Sequence, residues 1–301
     1  MHWRLDLGGD WPYIVRLVEG NPLQLAVWLS DRDIDFFAVS TGAYYGRLAV
    51  STEFRPGADG WRVYLEQLMA PNGAYLPVAW ADQIGVYTSY DGRLRLYHVR
   101  GRDLVLDMDG RQTTLPCDGD APIVAAGLDR ELGTVAAVSD DGRLHLYQQG
   151  VYVGSYAVEI NSRPVVKLAV PDGADYVAII EEGQIQIITI GGRIRQRLLD
   201  LPPINAAACS PSGEILVTVD QDSGMLRVYD ETLRLVAQEA ALDVLVRAPS
   251  LQLPDTAPWP ELAPHTLDVD DSGKLAFAME GMLCVTRVDE IAPVPQPRTL
   301  L

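Results

Sequence analysis

Little in this sequence invites bond-making chemistry. Of 301 residues only three are cysteine, Cys117, Cys209 and Cys284, and only four are histidine. An odd number of cysteines cannot all pair within one chain, and the absence of any C-x-x-C spacing argues against a zinc centre. Cys209 in "NAAACS" and Cys284 in "GMLCVT" stand in apolar runs and read as small buried hydrophobes of a reducing compartment. No G-x-S-x-G elbow, no P-loop and no strand-borne G-x-G-x-x-G occurs, so a serine nucleophile or a nucleotide cradle has nothing to sit on. No cofactor is expected.

Other absences narrow the class. No apolar run approaches the roughly 20 residues that span a bilayer, so no membrane partner is expected. The opening "MHWRLDLGGDW" lacks the basic start and apolar stretch of a secretory signal, which makes a cytoplasmic protein the expectation. Basic residues are scarce, 24 against 41 acids, for a net charge of −17 and a pI near 4.5. Such a surface repels a phosphate backbone and excludes nucleic acid, whereas a basic protein or a cation would be attracted. Capped, 3.6-periodic helical stripes are missing as well.

What is present is repetition. Gly, any residue, apolar, any residue, apolar recurs at "GRLAV" (Gly46), "DGRLRLY" (Gly92), "DGRLHLY" (Gly142), "EGQIQII" (Gly183), "SGMLRVY" (Gly224) and "EGMLCVT" (Gly281), with gaps of 46, 50, 41, 41 and 57 residues. Each occurrence is preceded by short apolar runs joined by polar turns, such as "SPSGE" and "DDSGK", and is followed by another such run. Val, Ile, Leu and Tyr punctuated by Gly, Asp and Pro describe strands and tight turns. Four antiparallel strands per unit of about 40 to 45 residues is the period of a β-propeller blade. The repeated phrase is then the hairpin between second and third strands. The expectation is one all-β domain over residues 1–301, a six-bladed β-propeller of four-stranded antiparallel blades, with seven blades as the alternative. The last unit lacks a fourth strand, and "HWRLDL" or "YIVRLV" from the N-terminus would supply it and close the ring.

The units resemble the WD-repeat family. "NAAACSPSGEILVTVDQDSGMLRVYDE" (Asn205 to Glu231) is nearest, with its Ser-Pro-x-Gly turn and with Tyr229-Asp230 where that family has Trp-Asp. Asp91 and Asp141 match the family's acidic turn position. No unit carries the Gly-His dipeptide and no strand ends in Trp-Asp, so the resemblance is to a degenerate, WD40-like repeat and brings no hydrogen-bond tetrad with it. It implies a non-catalytic protein-interaction platform or scaffold.

Two features locate a partner-binding surface. The turns gather acids at one rim, among them Asp91, Asp140, Asp141, Glu181, Glu182, Asp220, Asp222 and Glu280, with Asp91, Asp141, Glu182, Asp222 and Glu280 as the chosen contact residues. The long gap before Gly281 exceeds 41 by 16 residues, and the excess lies in "VLVRAPSLQLPDTAPWPELAPH", a Pro-rich insertion over 244–265 between blades 5 and 6. Proline this dense does not sit in a central strand, so a loop is expected there, either packed down as a lid or offering Trp259 as an aromatic anchor. A rival reading is a calcium-dependent, lactonase- or esterase-like propeller, with Asn205 as the candidate metal ligand on the axis. Hard cations need several oxygens, and the chain has only four asparagines. "DRDID" (Asp31, Asp33, Asp35) puts Phe36 and Gly42 where a calcium loop needs Gly and Glu, and "DVDDSG" puts Met279 at its twelfth position. A third reading is a structural subunit of a larger complex.

Overall fold

In the computed structural model the described residues are 2–7, 14–18, 23–28, 33–49, 68–69, 75–76, 83–88, 94–100, 103–108, 111–129, 133–160, 165, 167–247, 267–279 and 282–295. Strand β1 (Trp3–Asp6) comes first. Sheet 1 follows as β2 (Ile14–Val18), β3 (Gln24–Trp28), β4 (Asp33–Ala38) and β5 (Tyr44–Ala49). A two-stranded ladder, β6 (Leu68–Met69) and β7 (Tyr75–Leu76), precedes sheet 2, which is β8 (Gln83–Thr88), β9 (Leu94–Arg100), β10 (Asp103–Met108) and β11 (Arg111–Pro116). Sheet 3 is β12 (Ile123–Leu128), β13 (Thr134–Ser139), β14 (Arg143–Gln148) and β15 (Val151–Ala157). Sheet 4 is β16 (Lys167–Ala169), β17 (Tyr176–Glu181), β18 (Gln184–Thr189) and β19 (Ile194–Leu198). Sheet 5 is β20 (Ile204–Cys209), β21 (Ile215–Asp220), β22 (Met225–Asp230) and β23 (Leu235–Ala240), and helix α1 (Ala241–Arg247) succeeds it. Sheet 6 is β24 (Leu267–Val269), β25 (Lys274–Met279) and β26 (Met282–Arg287), with β1 as its fourth strand.

All these pairings are antiparallel, and β1 registers Trp3 opposite Val285 and Asp6 opposite Met282. The sheets pack face against face. One core joins sheets 3 and 4 through Ala136, Leu144, Leu168 and Val177. Others join sheets 4 and 5 through Ile185 and Ala207, and sheets 5 and 6 through Val217 and Phe277. Trp3, Val15, Leu25 and Leu283 join sheets 6 and 1, and Leu104, Leu115 and Val135 join sheets 2 and 3. Because both faces of a sheet are covered, the second strand is buried throughout: every residue of β13 is, whereas the outer β15 is largely open. That is why "TVAAVS" and "YVAIIE" read as continuous apolar runs rather than alternations. First strands of successive sheets lie side by side, β12 by β16, β16 by β20, β20 by β24 and β24 by β2. The approach of β12 to β16 depends on Gly127, where a Cβ would stand 2.3 Å from the Leu168 carbonyl oxygen.

The repeated turn joins second to third strands at Gly142, Gly183 and Gly224, while Gly281, between β25 and β26 in sequence, lies outside the described residues. Two occurrences depart from that rule. In sheet 2 Gly92, outside the described residues, falls in sequence between the first and second described strands, and β11 adds a strand at the far edge. Gly46 is not in a turn: it lies inside β5, next to a register shift where Phe36 faces Gly46 but Phe37 faces Tyr44. The pattern found there is a strand with a bulge, which accommodates glycine for its own reasons.

The insertion also differs from a plain loop. Its first residues continue α1, which buries Ala241, Val244 and Leu245 against sheets 5 and 6. Arg4 of β1 donates to the Leu245 carbonyl at 3.1 Å, tying the helix to the N-terminal strand. Residues 248–266, Trp259 among them, lie outside the described residues. Beyond β26 the chain pairs once more, bridging Pro293 to Ala237 on the outer edge of sheet 5, with Gln238 N–H donating to the Ala292 carbonyl at 2.9 Å. The tail thereby covers an otherwise open edge.

Candidate functional site

The rim is built by a bond that repeats. After each fourth strand a backbone N–H donates to the carbonyl of the turn glycine: Val158 to Gly142 at 2.9 Å, Leu201 to Gly183 at 3.0 Å, Ala241 to Gly224 at 2.9 Å. Gly142 and Gly224 hold φ of 78° and 58°, conformations that side chains rarely adopt. Pinned this way, the turns of sheets 3, 4 and 5 present Asp141, Glu182 and Asp222, all exposed. Asp91 and Glu280 occupy the corresponding sequence positions in sheets 2 and 6 and lie outside the described residues.

Two acids expected at the rim are not there. Glu181 and Asp220 end their second strands and are buried. Asp220 pairs with Arg227 at 2.8 Å and accepts from Ser223 Oγ at 2.8 Å, yet burial still holds its carboxyl above the ordinary carboxylate range. Gln184 and Gln186 both donate to Glu181 Oε2, and Arg197 donates to Gln186 Oε1 at 2.8 Å. In sheet 3 the same two places hold Ser139 and His145. In sheets 3, 4 and 5 the last residue of the second strand thus meets the third residue of the third strand, Ser139 with His145, Glu181 with Gln186, Asp220 with Arg227. Sequence reading left this position open as "any residue" inside G-x-L-x-L. The available signal was a polar side chain at the same place in successive repeats.

Ser139, His145 and Asp141 are the residue types of a hydrolase, but their wiring is not. Ser139 Oγ donates to Asp141 Oδ1 at 2.5 Å, which uses its one proton, so His145 Nε2 must donate to Oγ across their 2.9 Å contact. A nucleophile needs the reverse, with the imidazole accepting from serine and the carboxylate holding the imidazole. Burial lowers the basicity of His145, whose Nδ1 is buried without a partner. This set is a clamp on the turn.

A different cluster sits where the first strands gather. Arg16 on β2, Lys167 on β16, Cys209 on β20 and Asp268 on β24 each interrupt an apolar strand with a polar atom. Leu17 N–H donates to Asp268 Oδ2 at 2.7 Å, and Arg16 donates to the Val15 carbonyl at 2.7 Å. Lys167 responds to charge on Arg16, Asp268 and Cys209, which lie on three other sheets. Sheets 4 and 1 are not consecutive along the chain, yet Arg16 lowers Lys167 by like-charge repulsion. Enclosure dominates here. Desolvation first, then Arg16, brings the Lys167 ammonium down to about 8, although Asp268 opposes the fall. Desolvation likewise raises Asp268, against Arg16 and Lys167, and raises Cys209 to about 12, leaving the thiol neutral. Asn205, the candidate calcium ligand, lies within a register shift at the start of β20. Among the described residues no three His, Cys, Asp or Glu side chains gather as a metal site.

No protein-family model matches the chain, and no curated protein matches it. Solved structures do. Raptor of Chaetomium thermophilum superposes with a TM-score of 0.71 at 11% identity, over 98% of this chain and 29% of that one. The β-propeller domain of Cps50 (Swd1) from Myceliophteria thermophila gives 0.63 at 12% identity over 95% and 99%. BBS1N, solved in complex with ARL6DN, gives 0.60 at 14% identity over 99% and 96%. The chain has a WD40-like β-propeller fold. Its four-stranded sheets are the blades, and the chain spans under a third of the length of Raptor. At these identities the likeness establishes the fold and leaves the binding chemistry to this chain's own residues. No helix among the described residues is long and apolar enough to cross a membrane.

Proposed function

We propose that residues 1–301 form one six-bladed ring, closed by β1 in the last blade, and that the propeller is a non-catalytic cytoplasmic scaffold for a protein partner of basic character. The six four-stranded sheets and the pairing of β1 with β26 support the ring. The observation that carries the function is the display of Asp141, Glu182 and Asp222 at equivalent, exposed turns of three consecutive blades. Asp91, Glu280 and the 244–265 insertion with Trp259 extend the same rim by sequence position. Rigid turns bearing like charge cost the fold little and steer an oppositely charged partner toward one face. Structures of the same fold come from assemblies, among them the mitotic checkpoint complex and BBS1N with ARL6DN. Against a hydrolase stands the order of bonds in Ser139, His145 and Asp141, where the serine proton faces the carboxylate.

The test is affinity capture by the wild-type chain and by a Glu182→Lys, Asp222→Lys variant, beside their melting curves. The variant is expected to lose the wild-type partner and to melt within a few degrees of the parent. Undiminished capture by a folded variant would remove the rim from the account.

A further inference from the structure

We infer that the outer edge of sheet 3, strand β15, is the surface through which two copies of this chain pair, as antiparallel strands about a two-fold axis. This goes beyond the rim reading and does not rest on it. Strand β15 stands at the end of its sheet, and among the described residues nothing pairs with its outer side. Two of its side chains are exposed hydrophobics, Val151 at 68% and Val153 at 42%. Folded proteins blunt such edges with charge, proline, brevity or a cover. The other outer strands comply. Arginine stands in β5, β11 and β19, short β1 carries Arg4 and Asp6, and β23 carries Glu239 and pairs with the C-terminal tail. By contrast β15, "VYVGSYA", is seven residues long without a charge or a proline. Its register shift recurs in sheets 1, 4 and 5 and so does not set it apart.

Register determines which backbone groups are free to pair. Val158 N–H donates to the Gly142 carbonyl at 2.9 Å, and Tyr156 is registered with Leu144, so these positions bond inward. Alternation along an antiparallel ladder then turns the N–H and C=O groups of Ser155 and Ala157 outward. A two-fold axis at Tyr156 sets Ser155 opposite Ala157 of the other copy, twice over, and each such pair exchanges both backbone bonds. Charge selects the occupant. Antiparallel self-pairing brings a strand's charges near their own copies, so an arginine strand such as β19 repels itself, whereas β15 carries nothing to repel. A strand that meets its own copy must be neutral, while one kept for an oppositely charged partner need not be. The net charge of −17 opposes the approach of two copies, and the Arg143 guanidinium, one strand inward on Ser155 Oγ at 2.6 Å, adds to that repulsion. Both oppositions are screened by salt, and a contact confined to strand edges is small, so the dimer is a transient one that salt strengthens.

The experiment is sedimentation velocity of the full chain over a wide range of concentration, at low salt and at about 0.5 M salt, where fields reach only a few ångströms. The sedimenting mass should rise with concentration from 33.0 kDa toward twice that value, and association should tighten several-fold at the higher salt. Ala157→Pro removes an outward N–H at a place where an edge strand admits proline, and should weaken association by about tenfold or more while melting near the parent. Ala157→Lys and Ala157→Glu should each weaken it alone, and a mixture of the two should associate, because an isologous axis brings the substituted positions together. Ile194→Lys, at an exposed site on β19, should leave association unchanged. A monomer at every concentration, association undiminished in folded Ala157→Pro, loss of association with salt, or no rescue in the mixture would each overturn the inference. Should Ala157→Pro fail to fold, the mixture of charged variants decides.

Discussion

Asp220 and Asp222 stand two residues apart in one turn, and they belong to different worlds. Asp222 is exposed at the rim, while Asp220 is buried against Arg227 at 2.8 Å. The contrast extends through the molecule. At the rim, Glu182 and Asp222 are displayed by turns that backbone bonds pin. Inside the blades and at the centre, each charge is tied to a specific partner or conspicuously lacks one. Exposed charge is cheap and can be selected for encounter, whereas enclosed charge must repay its desolvation and is therefore informative residue by residue.

The largest effect expected from this contrast is at Asp220. Asp220→Ala strands the Arg227 guanidinium, and loss of one member of a buried pair costs about 3–5 kcal/mol. Chemical denaturation of that variant beside Asp222→Ala tests it, with the latter expected within about 0.5 kcal/mol of the parent. Because burial raises Asp220 despite both its partners, the pair is no net gain over an apolar pair. Asp220→Leu combined with Arg227→Met should recover most of the loss. A double variant as unstable as the single one would break the comparison.

At the centre the sign reverses, since removing Lys167 should stabilise. Its folded-state value of about 8 lies below that of the unfolded chain, so between about 8 and 10.5 the unfolded state holds more protons and stability rises with pH. Below pH 8 the ammonium is charged in both states and its full desolvation penalty is present. The shift corresponds to roughly 3 kcal/mol as an upper bound, and the partial exposure of Lys167 lowers it. Lys167→Met should therefore be more stable than the parent at pH 7, by about 1–3 kcal/mol, and the difference should shrink toward pH 10. A smaller, purely steric effect is expected at Gly127→Ala. Its Cβ would meet the Leu168 carbonyl oxygen at 2.3 Å, and prising two inner strands apart costs about 1–3 kcal/mol in melting experiments.

How much of this could be read in the letters follows the same division. The turns at Gly142, Gly183 and Gly224 were legible because a tight hairpin favours glycine and a nearby acid whatever lies around it. Gly46 misled for that reason: a bulged strand uses the same residue, and only pairing to β4 tells them apart. The N-terminal strand was legible as a missing partner for β26, but the tail's bridge from Pro293 to Ala237 was not, since edge pairing leaves no periodic trace. The centre was overlooked although its signal was present. "IVRLV", "KLAV" and "LDV" each carry one charge inside an apolar first strand. What a sequence does not state is that strands about 150 residues apart, as β2 and β16 are, come close enough for Arg16 to lower Lys167. Short strands also hid α1, whose seven residues offer too few turns for a helical stripe to emerge from the background.

The smallest stability effect and the clearest kinetic one should coincide at Asp222→Lys. The residue is exposed and raises Asp220 by like-charge repulsion, which lysine would relieve. Stability should stay within about 0.5 kcal/mol of the parent. Partner association should nonetheless slow, because a rim charge acts on the encounter rather than on the docked complex. The slowing should fade above roughly 0.3 M salt, where screening confines the field to a few ångströms, and dissociation should be unchanged. Stopped-flow or surface-plasmon rates at two salt concentrations separate the cases. A change confined to dissociation would place Asp222 within a tightly packed, desolvated contact and make the rim a docking surface as well as a steering one.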